Sequence, residues 1–134
     1  MAGRTVFAIL VVLAVIFVVP FLVYSLLSPF TALEPPAEGS PLRFLLGILV
    51  SKAGTAIAFV LIFRISQGSL QGRWLLYGSL WFVMFSIGEA GQAIGPGYSW
   101  SEAAEGIVSE AIYCPLSAYL TWRLLRMKTD VGSV

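Results

Sequence analysis

The sequence has no histidine and one cysteine among its 134 residues. The absence of histidine removes the usual axial ligand of haem, the commonest metal ligand and the commonest general acid/base. Cys114 has no second cysteine to pair with, which excludes an internal disulfide and paired-thiol redox chemistry. No phosphate-binding glycine loop, zinc-ligand cluster or serine-histidine-acid set is present either. We therefore expect no cofactor and no bound metal, and the chemistry of soluble enzymes is disfavoured.

Charge is also scarce. Only 11% of the residues are charged and 58% are hydrophobic, and the mean hydropathy is +0.90. These values are typical of membrane proteins. The formal net charge of +1 gives no basic surface for nucleic acid, so we expect no nucleic-acid partner. The composition predicts one transmembrane domain, residues 1–134, with the lipid bilayer as its surroundings.

Four stretches are apolar and long enough to cross a bilayer, which takes about 20 residues for a hydrocarbon core of about 30 Å. They are residues 5–27, 41–63, 74–94 and 102–125. Within lipid every backbone polar group must be satisfied inside the segment, so each stretch is expected to be a helix. The first run is longer than the roughly 7–15 residues of a signal-peptide core, and no clear cleavage site follows it. We expect it to remain as a span.

Short connectors rich in proline, glycine, serine or charge separate these stretches, at residues 28–40, 64–73 and 95–101. They predict an all-α, up-down four-helix transmembrane bundle. Six basic residues fall on the side of the termini and the 64–73 connector: Arg4, Arg64, Arg73, Arg123, Arg126 and Lys128. The other side has only Arg43. The positive-inside rule therefore predicts cytoplasmic termini, with 28–40 and 95–101 as outer loops.

Three charged residues lie inside the predicted spans. Lys52 is about 16 Å from the start of its span, near the bilayer midplane, and Glu89 and Glu110 lie in the outer half. A charge at the centre of a span costs at least about 2.5–3.5 kcal/mol, so these side chains should face other helices. Gln92 shares a helix face with Glu89, and Tyr113 follows Glu110. We predict that these five residues form a polar pocket where the second, third and fourth spans meet.

The charges in this pocket do not balance, because two carboxylates meet one ammonium. Lys52 pairs with one carboxylate as a structural ion pair, or one carboxylate stays free to exchange a proton or to bind a cationic or hydroxylated ligand. Three functions follow. The first is binding or transport of a small solute, coupled to glutamate protonation, by a homo-oligomer. The second is a non-catalytic accessory or assembly subunit of a larger membrane complex. The third is a lipid-modifying enzyme that uses Glu89 or Glu110 as acid/base.

Other residues are predicted to have structural roles. Gly88 and Gly91 flank Glu89 and should let a neighbouring helix backbone come close. Pro115 removes a helical hydrogen bond in the fourth span and should kink it. Its neighbour Cys114 has no obvious activating base and is expected to be a small packing residue.

The fourth span begins with Ser-Trp-Ser-Glu, residues 99–102. This pattern fits a capping box with Ser99 as the N-cap and Glu102 as its partner. Glu105 is expected in or near the first helical turn, where the helix dipole favours a negative charge. We therefore predict structural roles for both glutamates.

Overall fold

A computed structural model describes residues 2–31, 39–70 and 72–126. Within them the chain forms five helices and no strand. The helices are α1 (Ala2–Thr31), α2 (Pro41–Ile65), α3 (Gln67–Leu70), α4 (Trp74–Ile94) and α5 (Trp100–Leu125). The all-helical prediction is confirmed. Lys128 and most of the 28–40 connector lie outside the described residues.

The four long helices occupy the four predicted stretches with shifted ends. Residues 28–31, predicted as connector, continue α1, and the 64–73 connector contains α3. By length and composition, two of the described helices are able to cross a membrane: Ala2–Phe30, with a mean hydropathy of 3.3, and Pro41–Ile65, with 2.2. α4 and α5 contain the glutamates, serines and glycines that lower their hydropathy. A four-span bundle is therefore not confirmed by this criterion.

Hydrogen bonds tie three helices together at one end of the molecule. Arg4 Nη2 donates to the carbonyl oxygens of Leu124 (2.6 Å) and Arg126 (3.1 Å) at the end of α5. Gln67 Nε2 donates to the Leu125 carbonyl at 2.9 Å. The last carbonyls of a helix have no partner within it and carry a partial negative charge, so an arginine stabilises them. We call this the arginine end; it also holds Arg64, Arg73 and Arg123.

The core lies between α1 and its two neighbours, α2 and α5. The buried apolar residues of α1 recur every four positions, as expected for one helix face. They pack with buried residues of α2 in one cluster: Ala8, Val12 and Ile16 with Ala56, Phe59, Val60 and Phe63. Over residues 41–51, in contrast, α2 is exposed at every position except the half-buried Ile48. The first half of α2 therefore covers little of the bundle.

Aromatic rings fill the space between α2 and α4. Phe59 contacts Tyr77 and Trp81 with ring centroids 4.8 Å and 5.1 Å apart, and Phe63 contacts Tyr77 at 5.1 Å. The Tyr77 hydroxyl donates a hydrogen bond to the Phe59 carbonyl. The two helices are thus held together by large side chains, and their backbones stay apart.

α4 and α5 come much closer together. A β-carbon at Gly78 would lie 3.0 Å from Pro115 Cα and 3.1 Å from the Cys114 carbonyl oxygen, so the two backbones touch at this position. α5 remains helical through Pro115. The predicted packing glycines, Gly88 and Gly91, are exposed, and nothing lies within 4 Å of a β-carbon built on them. That prediction is wrong for this chain, because both glycines lie on a face of α4 that no described helix covers.

The capping box at the start of α5 is present. The Glu102 backbone N–H donates to Ser99 Oγ at 3.2 Å, and the Ser99 N–H donates to Glu102 Oε2 at 2.6 Å. These two bonds satisfy backbone donors that would otherwise have no partner within the helix. They fix the point at which the chain enters α5.

We expect Gly78→Val to lower the free energy of unfolding by about 1–3 kcal/mol, because the added carbons meet the α5 backbone, which cannot move aside cheaply. Gly88→Val is the matched control and should change stability by less than about 0.5 kcal/mol, since its surroundings are open. Thermal or denaturant unfolding of the purified variants measures both effects. Equal losses from the two changes would contradict the close α4–α5 contact.

We expect Ser99→Ala to reduce the stability of the fold by about 1 kcal/mol through loss of the cap. Ser101→Ala, two residues later on an exposed site, should be close to neutral. Amide hydrogen exchange at the start of α5 is the direct measurement: exchange should accelerate there in Ser99→Ala alone. Unchanged exchange in that variant would show that the capping box does not hold the helix start.

Candidate functional site

Glu89 lies where α4 crosses α5. A β-carbon at Gly106 would lie 2.6 Å from Glu89 Cδ and 2.8 Å from each of its carboxylate oxygens. The carboxyl group therefore occupies the space that a side chain at position 106 would need. A side chain at position 106 would therefore displace the Glu89 carboxyl group from this place.

Tyr98 anchors the same carboxyl group from the connector between α4 and α5. Its hydroxyl donates to Glu89 Oε2 at 2.5 Å. Gly97, with a φ of 84°, provides the left-handed turn before it, a conformation that costs glycine little. Burial raises the pKa of Tyr98, and the hydrogen bond to Glu89 raises it further. The phenol therefore stays protonated around neutral pH and remains a donor.

Glu110 is 4% exposed and lies beside Glu89. Ser86 Oγ donates to Glu110 Oε2 at 3.4 Å, and the carboxyl groups of Glu110 and Glu89 are close enough to interact. Two carboxyl groups in such proximity can share one proton or hold a cation between them. We call Glu89 and Glu110 the carboxyl pair.

Lys52 does not form the predicted ion pair. Its ammonium lies 5.4 Å from the centroid of the buried Tyr113 ring, a cation–π contact. No carboxylate oxygen of the described residues lies within the 4.0 Å of a salt bridge to it; its charge reaches Glu110 at longer range. The predicted meeting of three spans fails because α2 packs mainly on α1, which keeps Lys52 away from the carboxyl pair.

Gln92 does not join the site. Its side chain is exposed, and its backbone carbonyl accepts a hydrogen bond from the Gly95 N–H at 3.0 Å. Three residues along a helix turn the side chain by about 60° from the starting direction. At Gln92 this rotation carries the side chain off the contact with α5. Of the five predicted pocket residues, the structure brings Glu89 and Glu110 together and places Lys52 over the Tyr113 ring instead.

Two residues near the pair were not predicted to belong to a site. Glu105 is the sixth residue of α5, beyond the first turn, and is 1% exposed. Neither of its carboxylate oxygens has a hydrogen-bond partner among the described residues. Tyr24 of α1 interacts with the Tyr98 hydroxyl and with the charges of Glu89 and Glu105. The purely structural role predicted for Glu105 leaves this burial unexplained.

The sequence does contain a signal for Glu105. From Glu105 to Thr121, polar residues recur at every fourth position of α5, and these five are buried: Glu105, Ser109, Tyr113, Ser117 and Thr121. A four-residue repeat places side chains along one face of a helix. Ser101, one step earlier, has the same spacing but is exposed at the helix start, so the repeat indicates an inward direction for Glu105 through the four members that follow it.

The described residues include no group of three histidine, cysteine, aspartate or glutamate side chains able to hold a metal ion. A surface pocket lies at the arginine end, lined by Gly3, Arg4, Phe7, Arg123 and Leu124. That pocket is basic and lies at the other end of the helices from Tyr98, so it does not belong to the carboxyl pair.

No protein-family model, curated protein or solved structure matches the chain. The function therefore has to be inferred from the residues of the site themselves.

Proposed function

We propose that α1, α2, α4 and α5 all cross the membrane, with both termini in the cytoplasm. The charge distribution supports this orientation. Five arginines gather at the arginine end: Arg4, Arg64, Arg73, Arg123 and Arg126. Only Arg43 lies at the start of α2, at the other end. An excess of basic residues marks the cytoplasmic side of membrane proteins.

The same proposal explains why α4 and α5 are less apolar than α1 and α2. Several polar side chains of α5 are buried, among them Glu105, Glu110 and Ser117, and Ser86 and Glu89 of α4 are half-buried. Polar residues within membrane spans generally face the bundle interior. A mean hydropathy does not record which way each side chain points. It therefore underestimates how apolar the outer surface is in a helix whose polar side chains face the bundle interior.

We infer that the protein binds or transports a small cationic or hydroxylated solute, with protonation of a glutamate as the coupled step. One observation carries this inference: the carboxyl pair lies in the bundle with no basic side chain of the described residues within 4.0 Å of it. Two close carboxylates repel each other unless a positive charge is added. In the resting state the charge is a proton; in the loaded state it is a cationic group of the solute.

The neighbouring residues suit this exchange. Tyr98 holds one oxygen of Glu89 through its hydroxyl, which leaves the remaining oxygens of the pair for the solute. The connector that contains Tyr98 lies at the outer end, and the exposed first half of α2 leaves an approach beside the pair. When a cation arrives, the shared proton leaves to the outer side, so the charge in the site is unchanged.

The accessory-subunit alternative depends on a structural ion pair of Lys52. The position of Lys52 over Tyr113 instead of beside a carboxylate favours the solute-binding interpretation. A homo-oligomer remains a prediction, because four short helices enclose little volume.

We expect the purified wild-type protein, in weakly buffered detergent solution, to release about one proton per chain when a fitting cation is added, since the pair shares one proton. Sodium, tetramethylammonium and choline chlorides are the probes, and a pH-sensitive dye measures the release. Glu110→Gln should abolish it, because an amide cannot give up the proton. Glu102→Gln is the control: it also removes an α5 carboxylate but leaves the pair intact, so release should persist.

Two results would contradict the proposed exchange. The first is that none of the three cations releases protons from the wild-type protein. The second is that Glu110→Gln and Glu89→Gln both release protons as the wild type does. Circular dichroism of each variant confirms that the helices are retained before the comparison is made.

Topology is tested with single cysteines at the two ends. In intact cells a membrane-impermeant maleimide should label Ser101→Cys, in the outer part of α5, but not Ser69→Cys, in α3 at the arginine end. Both serines are exposed, and the native Cys114 is buried, so the unmodified protein gives the background. Labelling of Ser69→Cys before lysis would reverse the orientation.

A further inference from the structure

Glu105 forms a second acidic site, separate from the carboxyl pair. Glu105 lies on the same face of α5 as Ser109. The Glu89 carboxyl group packs against the neighbouring residue of α5, Gly106. The charge of Glu105 acts on Tyr24 of α1, as do the charges of Glu89 and Glu102, but the Glu105 side chain is itself buried in α5. The site is therefore at the contact of α1 and α5, near their outer ends.

The surroundings of Glu105 do not compensate its charge. It is 1% exposed, and both carboxylate oxygens lack a hydrogen-bond partner among the described residues. Ser109 Oγ is the nearest hydroxyl along the helix, but it donates to the Glu105 backbone carbonyl at 2.9 Å. A buried carboxylate without a partner is among the least favourable arrangements in a protein. Such a group is retained where something outside the chain neutralises it.

No basic side chain of the described residues takes that role. The ionisable groups around Glu105 and Tyr24 are Tyr98 on the connector, Glu89 on α4 and Glu102 on α5, which are neutral or acidic. Lys52 lies over Tyr113, eight residues and about 12 Å further along α5. Arg43 is exposed at the start of α2. The positive charge has to come from a ligand.

We propose that Glu105 binds a small monovalent cation at the α1–α5 contact, with the Tyr24 hydroxyl beside it. One positive charge is enough to neutralise one carboxylate. A metal ion of higher charge needs more ligands, and the described residues contain no group of three histidine, cysteine, aspartate or glutamate side chains that could hold one. The interacting hydroxyls of Tyr24 and Tyr98 connect the site to the connector at the outer end, from which the cation arrives. Sodium, potassium and a small ammonium ion all meet this requirement, and the experiment separates them.

The full-length protein is reconstituted in lipid nanodiscs with N-methylglucamine chloride, whose cation is too bulky for a buried site. Sodium, potassium or methylammonium then replaces it at constant pH and ionic strength. If one of them binds Glu105, the wild-type Tm rises by about 5 °C once the cation exceeds its Kd tenfold. Glu105→Gln should lose this rise, and Glu102→Gln should keep it.

The second measurement is the infrared band of protonated carboxyl groups. A carboxyl group that carries a proton and binds no cation is the contrary result: no salt changes the wild-type Tm, and the wild-type minus Glu105→Gln difference spectrum shows one protonated carboxyl group. The Glu102→Gln difference should lack it. Should Glu105→Gln fail to fold, Glu105→Leu replaces it, because an apolar side chain needs no partner at this buried position.

The proposal is overturned if the salt-dependent rise in Tm persists without the Glu105 carboxylate. It is also overturned if the wild-type Tm is the same in all salts, whether or not the difference spectrum shows a protonated carboxyl group at Glu105. Glu110→Gln separates this site from the carboxyl pair: it should abolish proton release from the pair while the Glu105 signal remains.

Discussion

The close contact between α4 and α5 is the constraint on which the site depends. At Gly78 the α5 backbone lies so close to α4 that an added β-carbon would contact it. At Gly106 the carboxyl group of Glu89 occupies the space that a side chain at that position would need. These two positions fix the spacing and the register of an antiparallel pair. If the helices were one side-chain layer further apart, Glu89 would not reach Glu110 and Tyr98 would not reach Glu89. The carboxyl pair is thus a consequence of two glycines on opposite helices.

Charge separation along the bundle is the second constraint. Five of the six arginines lie at one end, where Arg4 satisfies carbonyl groups of α5, and they are unavailable to the glutamates at the other end. The sixth, Arg43, is exposed at the start of α2. Lys52 lies between the two groups but rests on the Tyr113 ring. The fold therefore concentrates negative charge without an internal counter-charge. A bundle built in this way is most stable with positive ligands bound, which links its folding to the chemistry proposed for it.

The position of a residue along its helix was predictable from the sequence, whereas the helix against which it packs was not. The long helices, the capping box and the inward direction of Glu110 follow from hydropathy, from a local motif and from the cost of burying charge. Gly88 and Gly91 fit a packing motif, but that motif does not say which face of α4 meets α5. Lys52 was placed in the correct helix, yet its partner depended on α2 packing against α1, which no local pattern encodes.

For Glu105, too, the sequence-based prediction missed which part of the protein the side chain faces. Its position near the start of α5 suggested a helix-dipole role, because sequence distance from the cap was taken as the deciding feature. The four-residue repeat from Glu105 to Thr121 is the stronger signal, since it relates the carboxylate to positions that α1 and α4 bury. α5 is thus polar on faces that are inside the protein. Such a helix is stable in a bundle only if its polar groups find partners, and where the chain supplies none, as at Glu105, binding a ligand is the remaining means of compensation.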